Sequence, residues 1–282
     1  MCRIFGCVAS EPVSVRHELL EARNPMIRQS QEHDSGWGMA VYGRTDGGEP
    51  HLVRFPQAAY ADADFQRATE RRGRIFNVHV RRATMGGLTL ANTHPFVLGD
   101  YSFSHNGTVL HYTRLLEDGV AAPRGQTDSE HVFNFLMRDF DPADVAGSLR
   151  HAVLATVERS EFSGVNFLFS DGERLWAYRL GIFELHWLAR AGSRDGSSAA
   201  GPRQLLVASE RLTNEPWHSV QQDVLLTLDP DDAEEPHAER LIGDEALARA
   251  DIVKFEEGSE LRGEARGEFA ARRAERLAST PR

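Results

Sequence analysis

Along residues 1–230 short apolar runs alternate with stretches rich in Gly, Asp and Pro. The runs are Ile4 to Ala9, Met39 to Tyr42, Ile75 to Val80, Tyr101 to Ser104, Val165 to Phe169, Leu175 to Tyr178, Ile182 to Leu188, Leu205 to Ala208 and Val224 to Leu228. Runs this short, bounded by turn residues, predict β-strands. Ser170-Asp171-Gly172-Glu173 lies between two of them and predicts a hairpin over residues 165–180. Elsewhere the period lengthens towards 3.6. Val132, Phe133, Leu136 and Met137 predict a helix from about Ser129 to Arg138, and Val145, Leu149, Val153 and Val157 predict another from about Pro142 to Glu158. A fainter pattern covers Asp62 to Arg72. Strands with helices inserted among them fit an α+β layered fold.

Two segments break this pattern. From Ala191 to Pro202 the chain turns to Gly, Ser and Ala, which predicts a mobile hairpin loop. Residues 231–282 hold 14 acids and 9 bases, a net charge of −5, and predict a charged C-terminal tail, helical or partly disordered. Residues 2–230 are then the folded domain. No repeat at a fixed period of 20–50 residues appears, which argues against solenoids and propellers.

Composition narrows the chemistry. At 282 residues, 41% hydrophobic and 26% charged, the chain can build a large core. It has no run of about 18 apolar residues and no secretion leader, so no membrane is expected and the location is read as cytoplasmic. Of 32 basic residues only Lys254 is a lysine, and Phe255 follows it in a charged tail. That argues against a lysine-dependent phosphate loop and against Schiff-base catalysis. A net charge of −10 argues against a nucleic-acid binder. The two cysteines, Cys2 and Cys7, form no disulfide framework, and neither a Cys-x-x-Cys nor a His-x-x-x-His spacing supports a zinc site.

Cys2 follows the initiator Met. Its small size permits removal of Met1, which would leave a thiol and a free α-amine on one residue. An α-amine has a pKa of about 7.7–8.0, close to the ~8.5 of a thiol, so its neutral form can take the thiol proton. A thiolate attacking an amide needs donors for the resulting oxyanion. Ser104-His105-Asn106-Gly107, after an apolar strand, offers the Asn106 amide and the Gly107 N–H, although Asn-Gly is equally a turn dipeptide. Thr127-Asp128-Ser129-Glu130 reads as a capping box with Thr127 at the N-cap. Asp128 has no part in that box, though a carboxylate there also complements the helix dipole. Arg81 ends a strand where its fork could meet a carboxylate, and His79 reads as a packed core histidine. Gly36-Trp37-Gly38 is either a tight loop holding an aromatic wall or a turn with a packed Trp.

Taken in order, Met1-Cys2-Arg3-Ile4-Phe5-Gly6, Gly36-Trp37-Gly38, His79-Val80-Arg81-Arg82-Ala83-Thr84, Asn92-Thr93-His94-Pro95-Phe96, Ser104-His105-Asn106-Gly107 and Thr127-Asp128-Ser129-Glu130 resemble the class II glutamine amidotransferases. These belong to the N-terminal nucleophile hydrolases. The likeness spans roughly residues 2–230, including Ser209-Glu210-Arg211-Leu212-Thr213 ahead of Trp217, and is closest to stand-alone members. It implies a four-layer αββα sandwich of two antiparallel sheets. It also implies that Cys2 attacks a γ-glutamyl amide and forms a thioester, that Asn106 and Gly107 make the oxyanion hole, and that Arg81 and Asp128 bind the substrate's α-carboxylate and α-ammonium. Trp37, Thr84 and His94, in the same motifs, are assigned to substrate binding. The expected partner is glutamine or another small γ-glutamyl compound, with no metal or cofactor. A non-catalytic or ammonia-donating subunit of a separate synthase is the alternative, and a synthase partner or a homo-oligomer stays open. Family members often carry Asp-Gly-Trp-Gly, whereas here Ser35 separates Asp34 from Gly36.

Overall fold

The central strands are buried on both faces, which is why they read as unbroken apolar runs. A computed structural model describes residues 2–254, apart from 44–47, 117–118, 192–200 and 233. Its strands are β1 Arg3–Val13, β2 Trp37–Tyr42, β3 His51–Phe55, β4 Gly73–Val80, β5 Phe96–Leu98, β6 Tyr101–Asn106, β7 Asn166–Ser170, β8 Leu175–Arg179, β9 His186–Arg190, β10 Gln204–Ala208, β11 His218–Ser219, β12 Val224–Leu228 and β13 His237–Arg240. Its α-helices are α1 Met26–Gln29, α2 Ala63–Ala68, α3 Asp128–Arg138, α4 Val145–Arg159 and α5 Gly243–Arg249, with a π-helical turn at His17–Glu21 before α1.

The strands form two antiparallel sheets, ordered β11-β9-β10-β1-β4-β2-β3 and β13-β12-β8-β7-β6-β5. Alternation along each strand divides the core into three layers. Ile4, Val8, Ala40, Ile75 and Val207 of the first sheet meet Leu168, Leu175, Ala177 and Leu226 of the second. On the outer face of the first sheet Phe5, Cys7, Trp37 and Phe76 pack with Leu19, Met26 and Phe65 of the helical segments. Outside the second sheet Phe103, Phe167, Phe169 and Trp176 pack against Val132, Phe133, Leu149 and Val153 of α3 and α4. This is the expected αββα sandwich. The hairpin β7–β8 forms across the predicted turn.

Several boundaries move for identifiable reasons. Asp144 caps α4 by accepting the Gly147 N–H at 2.9 Å, so that helix begins at Val145 rather than Pro142. Strand β9 begins at His186, not Ile182. The Gln222 side chain holds both the N–H and the carbonyl of Gly181, and the Phe183 carbonyl accepts from Arg179 Nε and Asn166 Nδ2, so residues 181–184 are held in a turn. Residues 192–200 of the expected Gly/Ser loop lie outside the described residues.

The folded unit also runs past residue 230. Strand β13 pairs with β12, and α5 follows with Leu241 and Ala246 buried. The anchor is Asp223, fully buried, which accepts from Tyr178 Oη, Arg240 Nε and the N–H groups of Ile242 and Gly243 at 2.9–3.1 Å. The first part of the expected tail is therefore sheet edge and helix, with charge on its solvent side. Residues 255–282 lie outside the described residues.

Candidate active site

Strand alternation decides which residues face the space between the sheets. In β1 Ile4 and Val8 point inward while Phe5 and Cys7 point outward, so Cys2 falls on the inner side and Cys7 is core. In β4 the inward set is Ile75, Asn77, His79 and then Arg81, because Phe76, Val78 and Val80 belong to the outer core. In β6 it is Ser102, Ser104 and Asn106, with Phe103 facing the helices.

The residues around Cys2 are fastened on two sides. On one, the Ile4 N–H donates to Ser209 Oγ at 3.2 Å, the Ser209 N–H donates to the Ile4 carbonyl at 3.1 Å, and Arg3 pairs with Glu210 at 3.0 Å. On the other, the half-buried Cys2 thiol donates to the Arg82 carbonyl at 3.7 Å. Burial pushes the Cys2 thiol pKa up. The Arg82 contact and the Arg81 guanidinium oppose this, and Asp128 adds to it.

Arg81 is itself buried, and desolvation lowers its pKa against the stabilising charges of Cys2 and Asp128. Its guanidinium donates to the carbonyls of Met85, Gly86 and Gly87 at 2.7, 3.4 and 3.0 Å. A guanidinium has five N–H donors, so these three contacts hold the 85–87 turn and leave two. The Arg81 backbone N–H bonds to the Gly36 carbonyl at 2.7 Å, and its carbonyl accepts the Ser35 N–H at 2.9 Å.

Facing Arg81 from the second sheet is the loop after β6. His105 Nε2 lies 3.1 Å from the Gly164 carbonyl, and a carbonyl only accepts, so Nε2 carries the proton and Nδ1 accepts from Ser129 Oγ at 2.9 Å. Burial lowers the pKa of this imidazole, against the opposing effects of Asp128 and the Gly164 carbonyl. Thr108 donates its N–H to Ser163 Oγ at 3.0 Å, and the Val109 N–H donates to Asp128 Oδ2 at 2.7 Å. The loop must be glycine at 107, since a Cβ there would lie 1.8 Å from the Gly164 carbonyl oxygen. Asn106 and Asp128 are both buried.

Not every expected residue joins this group. Trp37 is fully buried in the outer core, packed on Phe55 and Phe65, with Nε1 donating to Asp62 Oδ2 at 2.8 Å; it is a packed Trp and not a pocket wall. His94 is also interior. Its ring stacks on His79 at 4.1 Å and packs on Phe96 at 4.4 Å, and neither ring nitrogen has a hydrogen-bond partner among the described residues. Burial lowers both imidazole pKa values, that of His79 to about 3. Thr84 is exposed and reaches the loop after β6, its hydroxyl 3.3 Å from that of Thr108. The capping box is half formed: Thr127 accepts the Glu130 N–H, but the Glu130 carboxylate turns to the N–H groups of Arg124 and Gly125 at 2.7 Å. Ser209, Ser129 and Ser163 were not anticipated as supports. Only Ser209 carried a local signal, as the polar residue closing an apolar strand.

The comparisons with other proteins agree with the fold. The model of the family Glutamine amidotransferases class-II matches residues 1–193. The uncharacterized protein MJ1515 of Methanocaldococcus jannaschii is 30% identical over 254 residues, 80% of this chain and 68% of that one. Among solved structures, the glutamine aminotransferase class-II domain protein of Silicibacter pomeroyi superposes with a TM-score of 0.57 at 22% identity, covering 86% of this chain and all of that one. The glutamine phosphoribosylpyrophosphate amidotransferase of B. subtilis gives 0.62 at 16% identity, covering 86% of this chain and 50% of its own. These two likenesses show a shared sandwich. With the family model matching more than half its length, the chain belongs to the class II glutamine amidotransferases.

Proposed function

We propose that this protein is a cysteine amidohydrolase acting on the γ-amide of glutamine or another small γ-glutamyl compound. Glutamine amide hydrolysis with donation of ammonia is the general activity of the family. With Met1 removed, the α-amine of Cys2 takes the thiol proton and the thiolate adds to the γ-carbonyl. The Asn106 amide and the Gly107 N–H receive the oxyanion. Collapse of the adduct breaks the C–N bond, the amine leaves with the proton held by the α-amine, and a γ-glutamyl thioester stays on Cys2. Water, deprotonated by the same amine, then releases glutamate and restores the thiol. The two spare donors of Arg81 take the substrate α-carboxylate, and Asp128 takes its α-ammonium.

The observation that carries this reading is that strand alternation turns Cys2 and Arg81 to the inner face, while the 2.7 Å bond from the Val109 N–H holds Asp128 against the loop that follows Asn106 and Gly107. Opposite charges beside a thiol suit a zwitterionic amino-acid head group. Intact mass spectrometry tests the first requirement, since a retained Met1 would leave no free amine on Cys2. Glutamate release from glutamine and γ-glutamyl amides, compared between wild type and Cys2→Ala, tests the rest; equal rates would leave a binding subunit. Asn106→Ala should lower kcat about 10²–10³-fold with KM little changed.

A further inference from the structure

We propose that a second site, a cleft between the turn at residues 23–28 and the segment 211–215, binds the phosphate group of a small molecule. The cleft has a volume of about 450 Å³ and is lined by Arg23, Asn24, Arg28, Arg211, Thr213, Asn214 and Glu215. Its walls are tied together: the Asn24 N–H donates to the Leu212 carbonyl at 3.0 Å and Arg23 Nη1 to Asn214 Oδ1 at 2.6 Å. Arg28 Nη2 donates to Asn24 Oδ1 at 3.1 Å.

The charge of this cleft is unbalanced. None of the three arginines has a carboxylate partner among the described residues. The one acid in the lining, Glu215, is already committed: Arg190 grips it with Nε and Nη2 at 2.7 and 2.6 Å, and Thr213 Oγ1 donates to it at 2.6 Å. Three guanidinium groups therefore share one concavity in a chain whose net charge is −10. The three arginines are exposed, and a bound multivalent anion can draw more than one of them to itself. Guanidinium forks fit phosphate oxygens in pairs, and the side-chain amides of Asn24 and Asn214 supply neutral donors beside them. The volume falls in the range of small-molecule sites, which favours a phosphorylated metabolite over a nucleic acid. Arg211 follows Glu210, the partner of Arg3, so the cleft opens at the same end of the first sheet as Cys2.

Calorimetric titration of pyrophosphate into the full-length protein at constant ionic strength tests this site without any assay of turnover. Saturable binding of one pyrophosphate per chain is expected. It should be weakened about tenfold or more in Arg211→Gln and in Arg28→Gln, each of which removes a charge-assisted contact. Arg249→Gln, whose guanidinium pairs with Glu245 on α5, should bind like wild type. Absence of saturation, equal affinity in wild type and both cleft variants, or citrate binding tighter than pyrophosphate would each overturn the proposal.

Discussion

The carboxylate of Asp128 accepts the backbone N–H of Val109 at 2.7 Å, tying the first turn of α3 to the loop that follows Asn106 at the end of β6. One side chain thereby has both a structural and a proposed substrate-binding task, and substitution can separate them. Asp128→Asn keeps an acceptor for Val109 and loses the charge. Its urea midpoint should stay near wild type while KM for glutamine rises about tenfold or more. Asp128→Ala also leaves a buried N–H unpaired and should lose about 1–3 kcal/mol of stability. Wild-type KM in the Asn variant would reduce Asp128 to a loop anchor.

The same charges set the reactivity of the thiol. Burial raises the Cys2 pKa, so the rate of alkylation by iodoacetamide should climb with pH to a midpoint above the ~8.5 of an ordinary thiol. Arg81 stabilises the thiolate, so Arg81→Gln should move that midpoint to higher pH. Asp128 destabilises it, so Asp128→Asn should move the midpoint lower. Shifts of the same sign in both variants would show that the charges do not act on Cys2 as described.

Trp37 tests the distinction between core and pocket. Trp37→Phe removes the 2.8 Å bond to Asp62 and leaves a buried carboxylate oxygen unpaired. A loss of about 1–3 kcal/mol in denaturant unfolding is expected, with KM unchanged. A raised KM at wild-type stability would return Trp37 to the substrate pocket.

Truncation locates the end of the folded unit. A chain ending at Asp231 loses β13, α5 and three of the donors that hold the buried Asp223 carboxylate. It should lose several kcal/mol, at about 1.5–3 kcal/mol for each hydrogen bond to a charged group, and its calorimetric transition should broaden or vanish.

The hydrophobic pattern found strands unevenly, and the reason is positional. The strands it did not reveal, β3, β5, β11 and β13, are the four edges of the two sheets. Edge strands are more exposed: β3 and β13 carry polar residues such as His51, Arg54, Glu239 and Arg240 that discourage further pairing and break their apolar runs, while β5 and β11 are only three and two residues long. Interior strands are covered on both faces and announce themselves. In the same way the capping threonine of α3 was legible, because a cap is local, while the destination of Glu130 was not.

For the candidate site, local sequence was enough to nominate a thiol at position 2, an Asn-Gly after a strand, and charged residues at the end of a strand and the start of a helix. Local sequence also determined the central strands and the two long helices, since backbone periodicity is set by neighbours a few residues apart. Tertiary structure alone decided which polar residues meet. The register of β4 against β1 and of β6 against β7 turns Arg81 and Asn106 inward, α3 brings Asp128 to the same end, and Trp37 and His94 are drawn into packing. Those outcomes depend on contacts between distant segments, and a shift of one residue in strand register would send each side chain to the opposite face.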